Sequence, residues 1–198
     1  MLLAFDTSTA ACTAALFDGA GTCVASRDEV IGRGHAERLV PMIAELMDGR
    51  SAEHILVGVG PGSFTGIRVA VAAAHGLAIG WEAKVEGMSS LALLGVRDGK
   101  VAAAIQGGHG ELFVQQFDNG QPVSELSNLP PSEAARAMDA DLVLGSGAAQ
   151  LVEARGWGEA QDAWPSAANA LRLPADLRNL PAKPIYARAP DARAREAA

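Results

Sequence analysis

The sequence predicts a mixed α/β protein, and three observations carry that prediction. Short apolar segments separated by turn residues open the chain. Two later segments place apolar residues at helical spacing. Between those two, a β-branched run leads directly into a glycine-rich loop. With 198 residues, 49% of them hydrophobic, the chain has material for one domain or two small lobes. A chain of this size buries about 70% of the surface its unfolded form exposes.

Leu2–Phe5 reads as a first strand, ending in Asp6-Thr7-Ser8-Thr9. Cys12–Phe17 and Thr22–Asp28 complete a β-meander around the turn residues Asp18-Gly19-Ala20-Gly21. Leu39, Val40, Met42, Ile43, Leu46 and Met47 then recur at helical spacing, with Gly49 placed to stop the helix. Pro41 must sit in that helix's first turn or kink a helix begun near His35, and a start at His35 or Ala36 fits the pattern. Ile55–Val59 is a strand apolar on both faces. After Gly60-Pro61-Gly62-Ser63-Phe64-Thr65-Gly66 comes a helix to about Ile79, rich in Ala and Gly. Being apolar almost all round, it is expected to be buried. Met88–Leu94 reads as helical, Val101–Ile105 and Glu111–Phe117 as strands, Ala134–Met138 as a helix and Leu142–Leu144 as a brief strand. From Pro181 onward the chain is expected to be extended.

Composition excludes several classes. Sixteen basic residues against 23 acidic ones give a net charge of −7, with no basic run, so independent nucleic-acid binding is not expected. The apolar stretch Val69–Ile79 falls short of the roughly 20 residues of a membrane span. No signal peptide is legible, and a cytoplasmic location is expected. Cys12 and Cys23 are too few for a disulfide scaffold; with the turn at Asp18–Gly21, Cys23 lies opposite Leu16, and both read as small buried hydrophobes.

The four histidines, His35, His54, His75 and His109, form no i, i+4 pair, and position 39 is leucine, so no metal site is expected. Gly62–Gly66 is neither a nucleophile elbow, because Ser63 follows the first glycine directly, nor a Walker loop, because Ile67-Arg68 replaces the Lys-Ser/Thr pair. Two readings stay open for it. Its amides and hydroxyls, with the helix start behind them, could cradle an anion; or the glycines make a tight turn that Thr65 caps. Asp6, Thr7 and Ser8 with Gly62, Ser63, Thr65 and Gly66 are therefore the candidate phosphate or nucleotide contacts. Asp6-Thr7-Ser8-Thr9 has the position of the first phosphate loop of actin-like ATPases, but without its glycine. Gly145-Ser146-Gly147-Ala148 is a weaker echo of a glycine-rich adenosine turn.

Taken in order, Phe5–Thr9, His35 with Leu39–Ile43, Gly58–Arg68, Gly87–Leu91 and Tyr186-Ala187-Arg188-Ala189-Pro190-Asp191 resemble the TsaB (YeaZ) family of tRNA threonylcarbamoyladenosine biosynthesis. The resemblance implies an actin-like (ASKHA) fold of two related ribonuclease-H-like lobes, the second degenerate, here 1–95 and 96–198. It implies a non-catalytic subunit that activates the paralogous transferase TsaD, which modifies adenosine 37 of tRNAs reading codons that begin with A. The ATPase TsaE joins that assembly, and tRNA is met only through it. By position, His35, Leu39, Met42, Ile43, Val69, Ala73 and Gly76 would form the partner interface, and the same face could pair copies of the isolated chain. No cofactor is expected for the chain by itself, with ATP or ADP left for the joint interface of the assembly. Family members carry Asp-Ala-Arg, a basic residue and Gly-Glu where this chain has Gln106–Glu111. The competing readings are a small ATPase or acid/sugar kinase, with Asp6 on Mg²⁺, and a metalloprotease. The first-loop glycine is missing for one and a ligand pair for the other.

Overall fold

In the computed structural model, residues 1–186 are described; Ala187–Asp191 of the last motif lies outside them. The first sheet has β1 (Leu2–Asp6), β2 (Ala11–Phe17), β3 (Cys23–Val30), β4 (His54–Gly58) and β5 (Lys84–Met88) in the order β3-β2-β1-β4-β5. The first three are antiparallel and the last two parallel to β1. Helices α1 (His35–Met47) and α2 (Phe64–Trp81) make the crossovers to and from β4. After the short α3 (Ala92–Gly95), the pattern recurs with β6 (Lys100–Gln106), β7 (Leu112–Asp118), β8 (Gln121–Pro122), β9 (Ser127–Leu129), α4 (Pro131–Ala137), β10 (Leu142–Leu144), α5 (Ala148–Arg155) and β11 (Glu159–Gln161). Its order, β11-β10-β6-β7-β8 with β9 also on β7, repeats the first lobe in shortened form. Two ribonuclease-H-like lobes, the second degenerate, are the actin-like fold the sequence led us to expect.

The layers explain the burial pattern. One apolar cluster lies between the first sheet and α1–α2, another between the second sheet and α4–α5. A third, including Phe17, Leu56, Leu91, Ile105 and Phe117, is shared by both sheets. Strand β2 is therefore buried along its whole length.

Several expectations need correction. A bulge at Leu16/Phe17 sets Cys23 opposite Phe17, not Leu16. Cys12 is buried and Cys23 exposed, because β3 is an edge strand. Lys84–Met88 is a strand, and helix begins only at Ala92. Pro41 lies mid-helix in α1, on the exposed side, where its missing N–H leaves the Glu37 carbonyl open to solvent. Helix α2 is 18 residues long and apolar enough, by length and composition, to cross a membrane. It instead packs one face, Gly66, Ile67, Ala70, Val71 and Ala74, onto the sheet and leaves the opposite face bare.

The chain finally returns to the first lobe. A 3₁₀ segment, Ala167–Arg172, packs against β1, β2 and β3, and its Ala167 N–H donates to Thr13 Oγ1 at 2.8 Å. Ser166 Oγ donates to Asp28 Oδ2 at 2.8 Å, and Thr13 Oγ1 donates to Asp28 Oδ1. Past α6 (Ala175–Arg178), Leu180 bridges Gly87 of β5, and Ile185 N–H donates to the Val59 carbonyl at 2.8 Å. Residues 180–186 thus form a strap across the ends of β5 and β4.

Candidate functional site

Where β1 meets the glycine-rich loop, three backbone segments touch without intervening side chains. A Cβ on Gly58 would lie 1.7 Å from Asp6 Oδ2, one on Gly62 2.2 Å from the Ser8 carbonyl oxygen, and one on Gly66 1.9 Å from that of Thr7. Each glycine is thus required by close approach, whatever the loop binds. Ser63 N–H donates to the Ser8 carbonyl at 2.6 Å, and Thr7 Oγ1 donates to the Gly66 carbonyl at 2.7 Å. Asp6 accepts from Ser8 N–H at 2.8 Å, from Ser8 Oγ at 2.7 Å and from Ser90 Oγ. Desolvation by complete burial raises the Asp6 pKa above the ordinary carboxylate value, even against the lowering by these hydrogen bonds.

Asp6 and Thr7 have no exposed surface and Ser8 almost none (1%), so the first loop is sealed against the second. Asp6 and Thr7, offered as phosphate or nucleotide contacts, present no surface to solvent here. Helix α2 is capped by Ser63, whose Oγ accepts from Gly66 N–H at 3.3 Å, and not by Thr65.

Ser8, Gly62, Ser63, Thr65 and Gly66 do reach a cleft of about 1160 Å³ between the lobes, together with Thr9, Arg33, His35, Glu37, Gln106, Ser146, Trp164 and Tyr186. Its polar walls are mostly hydroxyls, amides and backbone. The Nε2 of His35 is buried with no hydrogen-bond partner. Among the described residues, no group of three or more His, Cys, Asp or Glu side chains is arranged to hold a metal ion. Beside the cleft mouth, Tyr186 of the strap stacks on Phe64 with ring centroids 5.1 Å apart, and the Arg68 guanidinium lies 5.0 Å from the Phe64 ring.

The residues assigned by position to an interface separate into two sets. Leu39, Met42 and Ile43 are 0–2% exposed and fill the core beneath α1. They are the apolar stripe of an amphipathic helix, which the chain's own sheet uses. Val69 and Ala73 are half-buried on the flank of α2, while Gly76 is exposed. The bare face contains Ala36, Val40 and Ala44 of α1 with Ala72, Gly76 and Ile79 of α2. Val40 is 51% and Ile79 84% exposed. Sequence reasoning passed over Val40, Ala72 and Ile79; the signal was apolar residues at helical spacing outside the amphipathic stripe.

An ion-pair network ties α1 to the sheet beside this face. Arg38 pairs with Glu29 of β3 at 2.7 Å and with Glu45 at 2.8 Å, and the guanidinium lowers the pKa of both carboxyls.

Fold and site together define a two-lobed actin-like chain with a sealed crossover, an interlobe cleft and a bare helix pair. Residues 25–128, just over half of the chain, match the family model of TsaD, tRNA N6-adenosine threonylcarbamoyltransferase. The chain is 35% identical to the tRNA threonylcarbamoyladenosine biosynthesis protein TsaB of Escherichia coli K12 over 131 residues, 61% of this chain and 56% of that protein. It superposes on YeaZ from Pseudomonas aeruginosa with a TM-score of 0.77 and 33% identity, covering 93% of this chain and 98% of that one. A second Pseudomonas aeruginosa structure, described as similar to peptidase YEAZ, gives a TM-score of 0.79 at 34% identity, covering 94% of this chain and 99% of that one. The chain belongs to the TsaB/YeaZ family. Its match spans little more than half the length of the Escherichia coli relative.

Proposed function

We propose that this chain is a non-catalytic, cytoplasmic partner subunit in the threonylcarbamoyl modification of tRNA adenosine 37, docking on the paralogous transferase TsaD and activating it. The observation that carries this reading is the bare face of α1 and α2, with Ile79 84% exposed on a helix of which only one face is packed. Large apolar side chains grouped on one surface mark interaction sites in monomeric chains. Small residues beside them let a partner's helices approach closely.

The sealed crossover supports a non-catalytic role over the kinase or ATPase alternative, since Asp6 is buried among hydroxyl donors and has no route to Mg²⁺. In this reading tRNA and TsaE are met through the assembly, and ATP or ADP belongs to the joint between subunits. The same face pairs copies of the chain when the transferase is absent.

The test is co-purification with tagged cognate TsaD. Ile79→Asp and Ala72→Glu should abolish capture while leaving the melting temperature within about 2 °C of wild type, as expected for exposed positions. Ala73→Glu should also abolish it, at some cost in stability because Ala73 is half-buried. Undiminished capture of Ile79→Asp refutes the docking face. ATP hydrolysis by the isolated chain refutes the non-catalytic role.

A further inference from the structure

Thr13 is a polar residue where its surroundings suit an apolar one. It stands in β2 among alanine, cysteine, leucine and phenylalanine, and has no exposed surface. A hydroxyl buried in this way costs stability unless it is hydrogen-bonded. Thr13 Oγ1 is used twice, donating to Asp28 Oδ1 and accepting from the Ala167 N–H at 2.8 Å. Asp28 is the residue directly across from Thr13 in β3. Its other oxygen, Oδ2, accepts from Ser166 Oγ at 2.8 Å. One cross-strand pair of the first lobe thus grips the start of the 3₁₀ segment that follows the second sheet.

The gripped segment sits between the lobes. Ala167, Ala170 and Leu173 are 0–3% exposed, in the apolar cluster that also takes Phe17 and Leu56 from the first sheet and Ile105 and Phe117 from the second. Asn169 Nδ2 donates to the Leu93 carbonyl at 3.1 Å, in the α3 connection from one lobe to the other. Two residues before Ser166, Trp164 lines the interlobe cleft, and Ile105 and Phe113 belong to both the shared cluster and the cleft wall. Paired lobes of other proteins close around ligands by hinge motion. We propose that residues 166–173 are a wedge that fixes how far these two lobes stand apart, with Thr13 and Asp28 as the positioning residues that hold it. Ala167 and Ala170 are too small to interlock firmly by packing alone, so the wedge depends on its polar grip. A cleft held at one width receives an occupant without the cost of ordering around it. This device does not depend on the docking face.

The test measures the distance between the lobes. Spin labels at Thr65→Cys and Glu153→Cys, both exposed and one on each lobe, are read by double electron–electron resonance in a Cys23→Ser background, where Cys12 is buried. Labelled chain is diluted into unlabelled chain so that only distances within one molecule are read. The otherwise unchanged chain should give one narrow distance. Thr13→Val keeps the side chain's shape without its hydroxyl, and Asp28→Asn turns one of two acceptors into a donor. Each should shift the mean distance by about 2 Å or more, the scale of a lobe rearrangement. Thr13→Ser, which retains the hydroxyl, should keep the original distance. Folded Thr13→Val and Asp28→Asn chains at the original distance overturn the proposal, since the bonds then only add stability. A Thr13→Ser chain displaced as far as Thr13→Val overturns it too, as do two distances in the otherwise unchanged chain. Should Thr13→Val fail to fold, Asp28→Asn at its exposed position decides the matter alone.

Discussion

Gly76 offers the sharpest separation of folding from docking. It stands inside α2, where glycine costs about 1 kcal/mol relative to alanine. A Cβ built there meets no atom within 4 Å, and the same holds for Gly80. Neither glycine is required by the chain's own packing, unlike Gly58, Gly62 and Gly66. Gly76→Ala should therefore stabilise the isolated chain by about 0.8–1 kcal/mol, which for 198 residues raises the melting temperature by about 2–4 °C. Adding Gly80→Ala should roughly double the gain, because each methyl enters open solvent. If the glycines serve close approach of a partner's helix, the same methyls should push that helix away. A loss of about 1–3 kcal/mol in transferase affinity is then expected, the usual cost of overpacking a fitted contact. Differential scanning calorimetry of the isolated chain and titration calorimetry with the transferase give the two numbers. A variant that gains stability and binds unchanged refutes the close-approach argument. One that loses stability refutes the claim that the site is open.

Gly58→Ala should behave oppositely, losing about 3 kcal/mol or more in urea unfolding, because its methyl would overlap the Asp6 carboxyl. Leu39→Ala should cost about 2–5 kcal/mol of stability and leave transferase affinity unchanged once folded, since Leu39 is wholly internal; an affinity loss in a fully folded variant would return it to the interface. Asp6 predicts a pH dependence. Its folded pKa lies above its unfolded value, so the folded state holds the proton more tightly. Its stabilising contribution is present below the unfolded value and lost as pH rises through the folded one. Against Asp6→Asn, which cannot ionise, wild type should lose relative stability as pH rises from about 4 upward. A stability difference independent of pH would sink that assignment.

The parts legible in the sequence were those governed by local rules. Turn residues placed the β-meander, and apolar spacing placed α1 from His35 and the strand before the glycine-rich loop. Tertiary pairing decided the rest. Lys84–Met88 carries two charged residues and a glycine, and is a strand because β4 offers it a parallel edge. The Leu16/Phe17 bulge has no signature among Cys12–Phe17, so the register beyond it was one residue out. At the candidate site, the error was to treat apolarity as one signal. Leu39, Met42 and Ile43 answer to the sheet beneath them, whereas Val40 and Ile79 stay exposed among the described residues. Composition alone does not separate those cases, and it made α2 read as a buried helix. Asp6 shows the same difficulty. A carboxylate after a first strand suits a cation, but here the hydroxyls of Ser8 and Ser90 enclose it.

The return of the strap has a consequence for biosynthesis. Leu180, Ala182 and Ile185 pack into the cluster that holds β1, β4 and α2 together, and Leu180 supplies the hydrogen bonds that finish the edge of β5. A ribosome makes these residues after every strand of the lobe they complete, and after the whole second sheet. The first lobe must therefore wait for a segment made later, at synthesis rates of about 5–20 residues per second. A nascent chain arrested before Leu180 would display an unfinished sheet edge to the chaperones around the exit tunnel, and loss of residues 180–186 would strike the first lobe before the second.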